Sequence, residues 1–221
     1  MNSLRFPAIA AGLIAAAAAL APPPAPAAER TADADFAKRM FAGSVPNPKA
    51  YACFVRRYDA AHLAQHPLQK VSVMKLLIGT EKDPDFAEFQ YAFRVGVNFR
   101  DRPGDFDSSG NCGHAPTVTD PADANIPPQD RVTLPAGLDF QCNVDCDGGG
   151  IAISLANADN AAIVKLDHIR IWKGTNPDSK AAGALEAGAD DKVFRLDRTT
   201  LSDCTSLVAD RKELAAMRRK R

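Results

Sequence analysis

The chain has 221 residues, with 27 basic and 27 acidic side chains, so its net charge is zero at pH 7. A neutral chain has no general electrostatic attraction for a phosphate backbone, and nucleic acid is therefore not predicted as a partner. The length suits one good-sized domain.

Residues 1–28 have the composition of an export signal. Arg5 is their only charged residue, and the apolar run at 8–21 has about the length of a signal-peptide core, which is too short to span a bilayer. Residues 25–27, Ala-Pro-Ala, supply the pattern of small residues that a signal peptidase cleaves. We therefore predict a periplasmic or secreted protein with a single β-rich domain over 29–221, a short basic C-terminal tail and no transmembrane segment after cleavage.

The first part of the mature chain contains two segments with helical patterns. Residues 32–42 place Phe36 and Met40 on one apolar stripe, which predicts a short helix. Residues 49–65 are ambiguous, because their start is typical of a strand and their end is typical of a helix. Pro67 ends this segment, since the residue before a proline avoids the helical conformation.

Two strands are predicted next. Residues 71–79 are almost continuously apolar, which is typical of a strand buried on both faces. Residues 89–101 alternate strictly, with Tyr91, Phe93 and Phe99 on one face and mostly polar side chains on the other. This period of two predicts one face against a core and one face toward solvent.

The aromatic face of the second strand either fills a core or lines a cavity. Tyr91, Phe93 and Phe99, backed by Trp172, are candidate ligand-binding residues, because cavities for small molecules are lined mainly by apolar and aromatic side chains. The leading functional prediction is a non-catalytic module that binds a small apolar or mixed ligand in a barrel mouth or a sheet cleft.

The opposite face of the same strand suggests a different function. Arg94, Arg100 and Arg102 project beside Asn98, and such a cationic surface suits an anionic partner. The alternative prediction is a structural or interaction protein that contacts another protein of the cell envelope.

Residues 102–114 are rich in turn formers and are predicted as a loop. Within them Asp105, Asp107 and Ser109 match the opening D-x-D-x-S-G of a calcium loop, in which oxygen ligands at alternate positions surround one ion. The match then fails, because Pro116 stands where a bidentate glutamate is needed. A solvated turn is the favoured interpretation, calcium is the alternative, and no other cofactor is predicted.

Residues 138–147 alternate without a break and lead into three glycines at 148–150. Cys142 and Cys146 fall on the inner face and the aspartates on the outer face, which predicts a β-hairpin with the glycines at its turn. Cysteines four apart on a strand are separated by about 13 Å, whereas a disulfide needs Cα atoms within about 7 Å. These two thiols therefore cannot bond to each other, which argues against a redox pair.

The five cysteines of an exported chain indicate disulfides, with at least one thiol left over. We favour the bridges Cys112–Cys142 and Cys146–Cys204, with Cys53 unpaired, although the spacing leaves other pairings open. Each bridge is expected to stabilise the fold by roughly 2–4 kcal/mol.

The remaining chain adds strands and one helix. Residues 161–173 and 192–197 are predicted as strands, and 206–219 as a terminal helix. Polar connections are predicted at 119–130 and 174–183. The predicted fold class is mainly β, an antiparallel β-sandwich or barrel with short flanking helices, since both architectures give the same strand pattern.

Catalytic motifs are sparse. The sequence has no G-x-S-x-G elbow, no P-loop and no Rossmann glycine pattern. His62 and His66 have helical spacing, but the glutamate of a zinc-binding H-E-x-x-H motif is missing, and His114 and His168 lie far away in sequence. An enzyme, with an envelope hydrolase as its least surprising form, is therefore the third hypothesis.

Three stretches together resemble a group of small exported bacterial proteins that are known only as uncharacterised. They are YACFVRRYDAAHLAQHPLQKVSVMKLLI at 51–78, GNCG at 110–113 and CNVDCDGGG at 142–150. The resemblance covers most of the mature chain. It implies a secreted bacterial domain, and it implies no activity and no catalytic residue.

Overall fold

The computed structural model describes residues 35–43, 49–82, 89–114, 139–145, 147–176 and 183–219. The predicted signal peptide, the predicted connection at 119–130 and Cys146 lie outside these residues.

Short helices flank a set of strands. In chain order the elements are α1 at 35–40, β1 at Lys49–Arg57, α2 at Ala60–Gln65, β2 at Val71–Lys82, β3 at Phe89–Phe99, β4 at Phe106–His114, β5 at Asp139–Asn143, β6 at Gly149–Ala156, β7 at Ala161–Lys173, β8 at Gly183–Glu186, β9 at Val193–Thr199, a 3-10 helix at Leu201–Leu207 and α3 at Arg211–Arg219.

Eight of the strands form one closed ring. Strands β1 to β7 follow one another around the ring in sequence order, and β9 closes it by pairing with both β7 and β1. All of these pairings are antiparallel, and β8 pairs with β7 beside the ring. The predicted mainly antiparallel β fold with short helices is confirmed, and the closed ring agrees with the barrel alternative.

The inside of the ring is the main hydrophobic core, and β3 illustrates how the sequence divides its faces. Tyr91, Phe93 and Val95 are at most 5 % exposed, whereas Gln90 and Ala92 on the opposite face are exposed. Burying one large apolar side chain contributes about 1.5–3 kcal/mol. The alternation predicted over 89–101 therefore separates the side chains of β3 that face the core from those that face outward.

Helix α1 packs across one end of the ring. Phe36 stacks on Phe140 of β5, with ring centroids 4.1 Å apart, and meets Tyr91 of β3 edge-on at 6.1 Å. Met40 and Phe41 are also buried. The apolar stripe predicted for this helix is thus inserted among the aromatic side chains at the ring end.

Polar contacts fix the C-terminal end of α1. The Arg198 guanidinium from β9 donates to the carbonyl oxygens of Met40 at 2.8 Å and Arg39 at 3.2 Å. Arg39 itself forms an ion pair with Asp159, whose pKa is lowered mainly by this hydrogen bond. The last carbonyl groups of a helix have no hydrogen-bond donor within it. Arg198 therefore supplies hydrogen bonds to carbonyl oxygens that would otherwise be buried without a donor.

The 3-10 helix and α3 form a second layer outside the ring. Leu207 and Met217 from this layer pack with Val55 and Leu77 in a separate apolar cluster on the outer faces of β1 and β2. This cover explains why β2 is apolar on both faces, as its sequence indicated.

Two disulfides are present. Cys112 is bonded to Cys142, a directly opposed pair on β4 and β5, and this predicted bridge is confirmed. Cys204 is bonded to Cys53 and not to Cys146, so the second predicted bridge is wrong. The physical reason is that Cys53 lies on the outer face of β1, where the 3-10 helix packs. The fifth cysteine is therefore Cys146.

The segment at 102–114 corrects another prediction. Residues Phe106–His114 form a strand paired with β3 and β5, although their composition predicted a loop. Gly110 shows why small residues occur here, because a Cβ at that position would collide with the carbonyl oxygen of Asn143. Tertiary pairing therefore outweighs the turn propensity of this stretch. A second missed strand is β8, which begins at the last residue of the predicted connection at 174–183 and continues through residues for which no strand was predicted.

The predicted hairpin over 138–155 forms, but its turn comes earlier than expected. Strand β5 ends at Asn143, and Gly149 and Gly150 already belong to β6. Gly149 has a φ of 75°, and a Cβ there would collide with the carbonyl oxygen of His168. The glycine is therefore required by close packing against β7 as well as by the local backbone conformation.

Candidate functional site

A row of three residues crosses the outer face of the sheet. Lys75 of β2 lies opposite Gly96 of β3, and Gly96 lies opposite Asp107 of β4. Because glycine has no side chain, the space between the two charged side chains is left for another segment of the chain. Leu207 of the 3-10 helix covers this position closely, since a Cβ on Gly96 would lie 2.5 Å from its Cδ2 atom.

This row forms part of an outer cleft of about 220 Å³. The cleft lies between the sheet, the end of the 3-10 helix and the residues that follow β7. Polar and apolar atoms contribute about equally to its lining, which comprises Lys75, Gly96, Val97, Asn98, Asp105, Asp107, Gly174, Thr175, Ser206 and Leu207.

Asp107 has an unusual environment for a carboxylate. Its side chain is in the cleft lining, yet the residue is only 7 % exposed. Within the described part of the chain it accepts no hydrogen bond and forms no ion pair. The pKa of Asp107 is raised to about 6, mainly by burial and next by nearby Asp105, while Lys75 acts to lower it.

The other polar groups of the cleft have partners. The Lys75 ammonium donates to the Ser206 hydroxyl over 2.9 Å. The Asn98 amide donates to Asp105 over 2.7 Å and to the Gly104 carbonyl oxygen over 3.1 Å. Lys75 retains further N–H donors, because an ammonium carries three. The cleft therefore offers free acceptors at Asp107 and free donors at Lys75, on opposite sides of a glycine.

The calcium candidates do not form a loop around an ion. Asp107 and Ser109 lie on the outer face of β4, and Asp105 immediately precedes that strand, so the three residues follow one another along the chain and do not surround an ion. Asp105 and Asp107 both line the cleft, whereas Ser109 does not. No group of three acidic, histidine or cysteine side chains suited to a metal occurs in the described ranges.

The aromatic candidates are core residues. Tyr91 and Phe93 lie inside the ring, and Tyr91 meets Phe140 edge-on at 4.6 Å. Trp172 is 4 % exposed, and its indole nitrogen has no acceptor among the described residues. Phe99 is partly buried and contacts the core. The structure thus places these rings in packing contacts, and their role in ligand binding stays a prediction.

The candidate partner surface is engaged within the molecule. Arg94 makes two hydrogen bonds of 2.9 Å to the carboxylate of Glu213 on α3. Arg100 donates to the carbonyl oxygen of Leu63, and Asn98 contributes to the cleft as described above. Arg102 lies over the ring of Phe106 at 3.8 Å. A partner protein would have to displace these contacts.

The histidines are not gathered at one place. The rings of His62 and His66 stack 4.3 Å apart, next to Tyr58, at the ambiguous segment that proves to be β1 followed by α2. His168 pairs with Gly150 across β6 and β7. The side chain of His114 is outside the described part.

Comparison with known proteins gives no further identification. No family model, no curated protein and no solved structure matches the chain. Among the described residues no helix is long and apolar enough to cross a membrane. Fold and site therefore define a ring-shaped β domain with two disulfides and an outer cleft that contains charged side chains.

Sequence reasoning missed seven of the ten residues that line the cleft, among them Lys75, Gly96 and Ser206. Lys75 is the only charged residue of the apolar run at 71–79, and Gly96 is the only glycine in β3. A glycine within a strand often marks a close approach of another chain segment, so both positions carried a usable signal. Ser206 carried none, because its place depends on how the 3-10 helix folds back.

Proposed function

We propose that this protein is an exported, non-catalytic binding module that holds a small polar molecule in the outer cleft. The observation that carries the proposal is Asp107, a mostly buried carboxylate that faces an open cleft and accepts no hydrogen bond from any described residue. The proposal keeps the predicted function of small-ligand binding and moves the site from the inside of the ring to its outer face.

The energetics of Asp107 favour a ligand that donates hydrogen bonds. A buried carboxylate without partners destabilises the folded protein, and such groups are concentrated at functional sites. A donor group of a bound molecule would supply the missing contact, which is worth about 1.5–3 kcal/mol when one partner is charged. The volume of about 220 Å³ suits a molecule smaller than a typical drug.

The disulfides support the exported location. Structural disulfides persist in oxidising compartments such as the periplasm and the extracellular space. Two bridges in a chain with a predicted signal peptide at 1–28 therefore favour periplasm or secretion.

The experiment is a binding screen on the isotope-labelled domain. A panel of amino acids, amines, polyols and sugars is added at millimolar concentration, and amide peak positions are followed by NMR. We expect one class to shift the peaks of Gly96, Asp107 and Ser206, and Asp107→Asn to weaken that binding about tenfold, since one lost charged contact is worth roughly 1.4 kcal/mol.

The matched control is Asp167→Asn, which removes the same charge from a side chain that is 99 % exposed and lies outside the cleft. It should bind like the wild type. A panel in which no member shifts the cleft peaks, or one in which both variants lose binding equally, would contradict the proposal.

A further inference from the structure

We infer that the outer cleft selects ligands that carry a protonated amine, with the Asp107 carboxylate as its acceptor. This inference rests on the proposed function, and it adds the chemical class of the ligand.

The charges around the cleft favour a cation. The ionisable groups of its lining are Lys75, Asp105 and Asp107, so acidic groups outnumber basic ones by one when all are ionised. Asp105 affects the pKa of Asp107 more strongly than Lys75 does, so the combined field of these two neighbours at Asp107 is negative. An anionic ligand would meet this field unfavourably, whereas an ammonium group would be attracted.

Hydrogen-bonding capacity gives an independent reason. The Asp107 carboxylate has two oxygens that accept from no described residue. An ammonium supplies three donors and no acceptor, so all of its capacity matches an acceptor-only site. A hydroxyl supplies one donor and also adds lone pairs that require partners. The amine is thus the better complement to this position.

Lys75 sets the geometry on the other side of Gly96. Its ammonium already donates to the Ser206 hydroxyl, and its two remaining N–H groups can donate to the anionic end of a zwitterion. A simple amine and an amino acid would both place an ammonium group at Asp107. Only the amino acid would also place a carboxylate at Lys75.

The test uses probes matched in size. Ethanolamine and ethylene glycol differ only by the replacement of an ammonium with a hydroxyl, β-alanine is a zwitterion, and propionate is an anion. Each is titrated into the wild-type domain at pH 8 and the Gly96, Asp107 and Ser206 amides are followed by NMR. We expect ethanolamine or β-alanine to bind at least about tenfold more tightly than ethylene glycol, and propionate not to bind.

Two variants sharpen the test. Asp107→Asn should reduce ethanolamine affinity about tenfold. Lys75→Gln should raise the affinity for ethanolamine, because a like charge is removed, and should lower the affinity for β-alanine if that probe uses both sides of the cleft. Binding of ethanolamine should also weaken at pH 5, where Asp107, facing Lys75 and Asp105, takes up a proton.

The outcomes separate this inference from the proposed function. Tighter binding of ethylene glycol or propionate than of both amines would overturn amine selection and leave a small-ligand site in place. Calcium chloride is titrated as a fifth probe, and a response to it alone would overturn amine selection in favour of a metal. No response to any probe would contradict both proposals.

Discussion

At the residue level, the absence of a side chain at Gly96 and the burial of the Asp107 carboxylate are linked. They lie opposite one another on β3 and β4, and the missing side chain of Gly96 allows Leu207 to approach the sheet while the carboxylate stays beside it. This arrangement buries a charge that the fold does not otherwise need. A residue that lowers the stability of the fold and faces a cleft is a candidate functional residue. Binding of a ligand to that residue would offset the free energy lost by burying its charge.

The burial of Asp107 should appear as a pH dependence of stability. Its pKa is about 6 in the folded protein and about 3.8 in an unfolded chain. Below pH 3.8 the group is neutral in both states and costs nothing. Between these values only the unfolded chain ionises it, so its contribution to stability falls as the pH rises. Above pH 6 the cost is constant, on the order of 2–3 kcal/mol.

Asp107→Asn should therefore change stability most at neutral pH. The difference in unfolding free energy between variant and wild type is expected to become more favourable to the variant from pH 3.5 to pH 7.5, by an amount on the order of 2 kcal/mol. Urea denaturation at several pH values measures this difference. Asp167→Asn, at an exposed position, should give a nearly flat difference, and an equally flat result for Asp107→Asn would show that its pKa is normal.

At the level of the elements, strands were predicted from hydrophobic periodicity where one face of the strand packs on the core and the other faces outward. The strict alternation over 89–101 predicted β3, and the alternation over 138–147 predicted the outline of β5. Strand β4 was missed because Phe106–His114 consists largely of turn-forming residues, which are needed for close backbone packing and for a charged outer face. The cleft depends on three strands and a returning helix, and their register is not encoded in any local pattern.

Helix α1 is the element whose position depends most on a single side chain. The Arg198 guanidinium donates to carbonyl oxygens of Arg39, Met40 and Asp159 and lies over the ring of Phe54 at 4.6 Å. A planar guanidinium can satisfy several acceptors at once, whereas a lysine ammonium on a flexible stem cannot reproduce that geometry. The charge alone therefore does not hold the helix.

Arg198→Lys should loosen α1 without unfolding the ring. Loss of at least one charged hydrogen bond, worth about 1.5–3 kcal/mol, should speed amide exchange at Phe41 and Gly43, which bond back into the helix, by about tenfold or more. Hydrogen exchange followed by NMR provides the measurement. Arg195→Lys is the control on the same strand, because Arg195 is exposed and its side chain pairs only with Asp197 among the described residues. Equal exchange in the two variants would mean that the aromatic contacts alone hold α1.

At the level of the whole molecule, the two disulfides connect different layers. Cys112–Cys142 joins neighbouring strands and closes a loop of sequence separation 30. Cys53–Cys204 joins the ring to the outer layer across a separation of 151, and that layer carries Ser206 and Leu207 into the cleft. The second bridge therefore links the stability of the ring to the integrity of the proposed site.

The two bridges should differ in how much they stabilise the protein. When a disulfide acts by restricting the unfolded chain, its contribution grows with loop length, which gives about 3.5 kcal/mol for the shorter loop and about 5 kcal/mol for the longer one. Replacing Cys53 and Cys204 with alanine should thus cost about 1–1.5 kcal/mol more than replacing Cys112 and Cys142.

Urea denaturation of the two double-alanine variants, both made in a Cys146→Ser background so that no free thiol exchanges with the remaining bridge, measures this difference. Amine binding should be lost only in the Cys53/Cys204 variant, because only that bridge anchors the layer that covers Gly96. A larger loss of stability from removing the shorter bridge would show that packing around the sulfurs, and not the entropy of the unfolded chain, determines what each bridge contributes.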